Sequence, residues 1–276
     1  MVHIVTDSTS DIPAEFVRDL NITVVPAHVI FDGQSYDDGI TLTRNEFYQR
    51  LSVSTTLPTT ATPSVGEFVE VYDRIGGEII SIHLASRLSG IFSTAYAAAH
   101  LAEQANVTLF DSTSIAMGLG WQVVVAARAV LQGQSVTDIM RLLYDTRPRV
   151  RVYAALDTME YLRRSGRVGW AKAMLGQLLN IKPIIEVRDG EVSQLERVRT
   201  RHKMIERLKE LAHELGPVDS LAVQHTCSLV DAQALAAELT DTLNIREPIA
   251  VCEATTTIGT HVGPNGLGII AVRANP

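Results

Sequence analysis

Four polar stretches hold the side chains that could do chemistry. In Leu57-Pro58-Thr59-Thr60-Ala61-Thr62-Pro63-Ser64, hydroxyls sit between stiffening prolines just before a helix start. Such a loop offers fixed O–H and N–H donors to an anion. Ser86-Arg87-Leu88-Ser89-Gly90-Ile91-Phe92-Ser93 follows an apolar run and opens a helix, so Ser89 is expected as its N-cap and as an anion donor. Thr257-Ile258-Gly259-Thr260-His261-Val262-Gly263-Pro264-Asn265-Gly266 surrounds one histidine with glycines and reads as a loop. The fourth stretch is cationic: Arg163-Arg164-Ser165-Gly166-Arg167, with Arg197-Val198-Arg199-Thr200-Arg201 downstream.

Two chemistries fit these residue types. Ser89, His261 and Asp111 could form the nucleophile, base and orienter of a serine esterase or thioesterase. Ser89 lacks the G-x-S-x-G elbow, however, and a capping serine has its oxygen occupied by backbone N–H groups. The other chemistry is binding alone, with hydroxyls and an imidazole around an anionic head group. No G-x-x-x-x-G-K, H-E-x-x-H or dense His/Cys cluster occurs, and Gly118-Leu119-Gly120 lacks the third glycine of a dinucleotide fingerprint. No cofactor and no metal are therefore expected. Cys227 and Cys252 read as two buried free thiols in a reducing compartment.

The elements that must position these stretches alternate along the chain. A short strand at 3–5 leads through an Asp/Ser/Thr turn to a helix that Pro13 opens. A β-branched strand spans 22–30, and Asp32-Gly33 signals a turn. Thr43 with Glu46 and Ser64 with Glu67 are capping boxes. Strand 78–83, helix 90–104, strand 107–110 and helix 115–131 complete a βαβα pattern, which implies a mostly parallel, Rossmann-like sheet covered by helices.

After Pro148 the pattern changes. Strand 150–155 precedes helices at 158–164 and 170–179. Strands 181–187 and 191–197 are joined by Arg188-Asp189-Gly190, a hairpin signal. A basic helix at 200–215, strand 220–224, helix 229–243 and strands 248–253 and 268–273 finish the chain. The expected architecture is a two-domain α/β protein: residues 1–150 around the parallel sheet, and 151–276 around a mixed sheet with flanking helices.

Composition narrows the partners. Of 276 residues, 46% are hydrophobic and only 5% aromatic, so an internal apolar pocket must be lined mainly by aliphatic side chains. Met1-Val2-His3-Ile4-Val5-Thr6-Asp7 is too short and lacks the basic flank of a signal peptide. The most apolar region, 115–131, is interrupted by Arg128 and glycines and reads as a buried helix. The expectation is a cytoplasmic protein with at most transient membrane contact. A net charge of −7 with few aromatics argues against nucleic acid. Residues 163–207 nevertheless hold 11 basic against 5 acidic side chains, a surplus suited to a phosphorylated ligand or an acidic partner.

In their order, these motifs resemble the DegV family, whose better-understood members are the fatty-acid-binding subunits of bacterial fatty acid kinase. The resemblance runs through Val5-Thr6-Asp7-Ser8-Thr9-Ser10-Asp11, Pro58-Thr59-Thr60, Pro63-Ser64-Val65-Gly66-Glu67-Phe68 and Leu88-Ser89-Gly90. It continues through Phe110-Asp111-Ser112, Gly166-Arg167-Val168, Lys182-Pro183, Arg199-Thr200-Arg201 and His261-Val262-Gly263-Pro264. It implies a long-chain fatty acid held between the two domains, with its carboxylate on Thr59, Thr60, Ser89 and His261. It also implies a role in phospholipid metabolism, in which a fatty acid kinase catalytic subunit docks near Arg167 and Arg199 and phosphorylates the carboxylate, this chain supplying no catalysis. A lipid sensor without a kinase partner is the alternative. Ala61-Thr62 and Ile91-Phe92 depart from the family's usual residues and bear on pocket shape.

Overall fold

The computed structural model describes residues 2–173, 181–243, 245 and 247–275. The chain begins with β1 (His3–Asp7), a single 3-10 turn at Ser8–Ser10, α1 (Ala14–Asp19) and β2 (Ile22–Val25). Next come β3 (His28–Phe31), β4 (Gln34–Asp37), α2 (Arg44–Val53), β5 (Thr59–Ala61) and α3 (Val65–Ile75). β6 (Gly77–His83), α4 (Ile91–Ala99), β7 (Ala105–Asp111), α5 (Met117–Leu131) and α6 (Val136–Thr146) follow. β1, β2, β6 and β7 form a wholly parallel sheet in the order β2-β1-β6-β7, as the βαβα pattern requires. Both expected capping boxes are present, at the starts of α2 and α3.

The later elements are β8 (Val150–Ala155), α7 (Glu160–Ser165), α8 (Gly169–Ala173), β9 (Lys182–Arg188) and β10 (Glu191–Val198). They continue with α9 (Arg201–Glu214), β11 (Val218–His225), α10 (Leu229–Thr242), β12 (Ala250–Glu253), α11 (Thr256–Val262) and β13 (Leu267–Arg273). Their strands form one mixed sheet, β10-β9-β8-β13-β11-β12, in which β11 and β12 run parallel and every other pair antiparallel. Asp189 and Gly190 both take positive φ, the twist that a two-residue hairpin needs.

Several expectations are corrected. The strand expected at 22–30 breaks at Pro26: β2 stays in the parallel sheet, whereas β3 joins β4 and β5 in a separate antiparallel sheet. Thr59 and Thr60 therefore lie on a strand, not in a loop. The helix expected at 90–104 ends at Ala99, and α6 was not anticipated. α8 covers the start of the helix expected at 170–179, and 174–180 lie outside the described residues. Cys252 is buried as expected, but Cys227 is exposed at a left-handed backbone position after β11.

Side-chain alternation on the mixed sheet explains how the halves join. Val150, Val152, Ile270 and Val272 face α5 and the parallel sheet in one continuous core. Ile269, Ala271, Leu221 and Val223 face the opposite way and pack on Met204 and Leu208 of α9 and Leu235 and Leu239 of α10. α5, apolar but for Gln122 and Arg128, packs between the parallel and mixed sheets, and Trp121 Nε1 donates to the Ile270 carbonyl at 3.2 Å.

Candidate functional site

A cavity of about 200 Å3 lies between the inner face of the mixed sheet, α11, and the loop that follows β6. One buried water needs only about 10–15 Å3. Leu84, Leu88, Val152, Leu162, Ile185 and Ile270 are among its walls, and no Phe, Tyr or Trp among the described residues lines it. Such a lining suits an aliphatic ligand.

Thr60, Ser89, Arg167 and His261 all line this cavity, although they come from four separate elements. Thr60 faces inward beside fully buried Val29, and its Oγ1 lies 3.1 Å from His261 Nε2. Ser89 precedes α4. Gly90, not Ser89, is the helix N-cap, while Ser89 Oγ accepts from Ile91 N–H at 3.3 Å. That bond leaves the Ser89 O–H free to donate. Arg167 is exposed, donates to the Ser165 carbonyl at 2.9 Å, and stands close enough to His261 to affect its charge.

Two expected residues do not reach the cavity. Thr59 neighbours Thr60 on β5, so its side chain takes the opposite face and is exposed. Arg199 lies between β10 and the Thr200 cap of α9, exposed and outside the cavity wall.

His261 is carried by a helix that the sequence disguises. Gly259 and Gly263 read as loop residues, but both are required by close packing. A Cβ on Gly259 would meet Tyr48 Oη at 2.5 Å and Phe47 Cε1 at 2.9 Å, whereas Gly263 ends α11 at φ +75° against the Tyr161 ring. This packing turns Ile258, His261 and Val262 toward the cavity. Gly259→Ala is expected to cost about 1–3 kcal/mol by overpacking, measured by urea unfolding. An unchanged midpoint would show that α11 tolerates displacement.

The N-terminus of α11 is held by carboxylates from the first half of the chain. Thr255 N–H donates to Asp11 Oδ1 at 2.8 Å, and Thr256 N–H donates to Asp38 Oδ1 at 2.9 Å. Thr256 Oγ1 also donates to Asp38 Oδ1, and Ser8 Oγ donates to Asp38 Oδ2, at 2.6 and 2.8 Å. Asp7 performs a parallel task beside it, accepting from Leu84 N–H at 3.1 Å and bonding His83 Nδ1 at 3.0 Å, which anchors the loop that carries Ser89. Asp7, Asp11 and Asp38 thus position the cavity's polar residues, and sequence reasoning missed all three roles.

Burial pushes the His261 pKa down to about 4, with the Arg167 guanidinium adding to the effect. The imidazole is therefore neutral near pH 7, with one donor and one acceptor nitrogen. In the tautomer whose Nε2 accepts from the Thr60 hydroxyl, Nδ1–H is a donor, and Nδ1 is buried with no partner among the described residues. The esterase arrangement is not assembled. His261 bonds Thr60, Ser89 accepts from backbone, and the Asp111 carboxylate accepts from Ser86 N–H and Thr113 N–H.

Fold and site together define a three-sheet α/β protein with a largely aliphatic cavity and hydroxyl and imidazole groups in its wall. The chain belongs to the DegV family: it matches the family model described as uncharacterised protein, DegV family, over residues 1–274. A DegV domain-containing protein of Staphylococcus aureus is 33% identical over 276 residues, covering 98% of each chain. One from Deinococcus radiodurans is 34% identical over 275 residues, covering 97% of each. Among solved structures, a fatty-acid-binding DegV family protein from Thermus thermophilus superposes with TM-score 0.90 at 29% identity over 99% of each chain. DegV of Bacillus subtilis, described as a fatty acid binding protein, gives 0.89 at 32% identity and the same coverage. No helix among the described residues is long and apolar enough to cross a membrane.

Proposed function

We propose that this protein binds a long-chain fatty acid, with the acyl chain in the aliphatic cavity and the carboxylate on Thr60, Ser89 and His261. The observation that carries this reading is the unpartnered, buried His261 Nδ1 in the wall of a largely apolar space. Each buried CH2 contributes roughly 0.8 kcal/mol, so a long chain supplies affinity without special chemistry. A buried carboxylate is costly unless hydrogen-bonded; the Ser89 O–H and His261 Nδ1–H supply donors, and the Thr60 hydroxyl holds the imidazole in that tautomer. The related DegV proteins of Thermus thermophilus and Bacillus subtilis, described as fatty-acid-binding, support the same reading.

The finer part of the proposal is that the carboxylate is presented to a fatty acid kinase in the cytoplasm. Arg167 at the cavity wall and Arg199 before α9 are exposed and have no carboxylate partner among the described residues. A guanidinium fork suits the phosphate groups of a kinase's nucleotide. Mass spectrometry of lipid extracted from the purified protein tests the binding: about one long-chain acid per chain is expected, and a nucleotide or no ligand would sink it. Arg167→Ala and Arg199→Ala should keep that acid while slowing ATP-dependent acyl-phosphate formation by a cognate kinase. Unchanged turnover would leave both arginines a structural role only, whereas no turnover with the parent would favour a lipid sensor.

A further inference from the structure

We propose that Thr257 is a second ligand-contacting residue of α11, which grips the ligand carboxylate together with His261. This rests on the fatty-acid reading and adds a donor that the sequence did not single out. Most polar side chains in the cavity wall already have partners. Thr9 donates to Asp7, Gln224 to Asp11, Ser165 to the Leu162 carbonyl, and Thr226 Oγ1 accepts from Gly266 N–H. Thr257 Oγ1 and His261 Nδ1 are different: both are buried in that wall without a partner among the described residues. Thr257 is only 6% exposed.

Local bonding within the helix does not explain the orphan hydroxyl. Thr260, three residues on, satisfies its own by donating to the Thr256 carbonyl at 2.9 Å, the usual recourse of a helical threonine. Thr257 makes no such bond. It stands four residues before His261, so the two side chains share one face of α11 at a Cβ separation of about 5–6 Å. An O–H and an N–H at that spacing can converge on the two oxygens of one carboxylate.

The test compares Thr257→Val, which keeps the shape and deletes the hydroxyl, with Thr257→Ser, which keeps the hydroxyl. Delipidated proteins are titrated with palmitic acid and with 1-hexadecanol. Thr257→Val should bind the acid about tenfold or more weakly, the loss expected for a hydrogen bond to a charged group, and bind the alcohol within about threefold of the parent. Thr257→Ser should retain acid affinity within about threefold. Unliganded Thr257→Val should melt higher than the parent, because it no longer buries an unpaired hydroxyl. That opposition of signs is not expected of a structural residue. Acid affinity within about twofold of the parent in Thr257→Val would overturn the proposal while leaving the fatty-acid reading intact. A parent protein that binds no palmitic acid would overturn both.

Discussion

Replacing Asp38 with alanine is expected to lower the unfolding free energy by about 3–5 kcal/mol and to release the ligand. Asp38 is 3% exposed and accepts from Thr256 N–H, Thr256 Oγ1 and Ser8 Oγ. Each buried donor that loses its acceptor costs about 1–3 kcal/mol, and a water entering the gap recovers part of the sum. The two Thr256 bonds fix the first turn of α11, whose later turn carries His261, and the Ser8 bond orients Asp38 for them. Stability and binding should therefore fall together. Asp38→Asn retains one acceptor oxygen and should lose less of both. Urea unfolding with parallel measurement of retained lipid checks the pairing. A loss under about 1 kcal/mol would mean that the Gly259 packing alone holds α11.

The dependence on Asp38 also shows what was legible in the sequence. Period and capping are local properties, so the parallel βαβα run, the boxes at Thr43 and Ser64 and the turn at Asp189-Gly190 could all be read from the chain. The bonds that place His261 join Asp38 to Thr256 and Asp11 to Thr255, partners more than 200 residues apart. No periodicity encodes such a contact. Gly259 and Gly263 misled for a related reason: glycine signals freedom in sequence, but here it permits close approach to Tyr48 and Tyr161. Thr60, Ser89, Arg167 and His261, singled out by their types and order, do line one cavity, whereas Thr59 does not, because a strand only three residues long alternates it away from Thr60. Thr257 left no signal beyond being one of several hydroxyls.

Asp11→Asn is expected to change the pH dependence of stability more than any other single substitution. Asp11 lies fully buried between the halves of the chain, where it accepts from Thr255 N–H and from the Gln224 side chain. Burial raises its pKa from 3.8 to about 7, against the lowering effect of the Thr255 N–H and the Arg44 charge. A carboxyl whose folded pKa exceeds its unfolded pKa holds its proton more tightly when folded. Its contribution is therefore most favourable below pH 3.8 and is lost progressively as pH rises toward and through about 7. A shift of about three units corresponds to about 4 kcal/mol, of which about 2–3 kcal/mol falls between about pH 5 and pH 8. His261 acts in the opposite sense. Its pKa is lowered from 6.5 to about 4, so its contribution is intact above 6.5 and declines as pH falls toward 4. The opposed slopes overlap between those limits, which makes the parent's own profile a poor reporter. The difference between Asp11→Asn and the parent isolates one group. Asparagine cannot ionise, and any hydrogen bond it forfeits is the same at both pH values. The variant should therefore gain about 2–3 kcal/mol relative to the parent from about pH 5 to pH 8, measured by urea unfolding of delipidated proteins. A difference that stays constant over that interval would mean that Asp11 remains ionised throughout, with Gln224, Thr255 and Arg44 together compensating its burial.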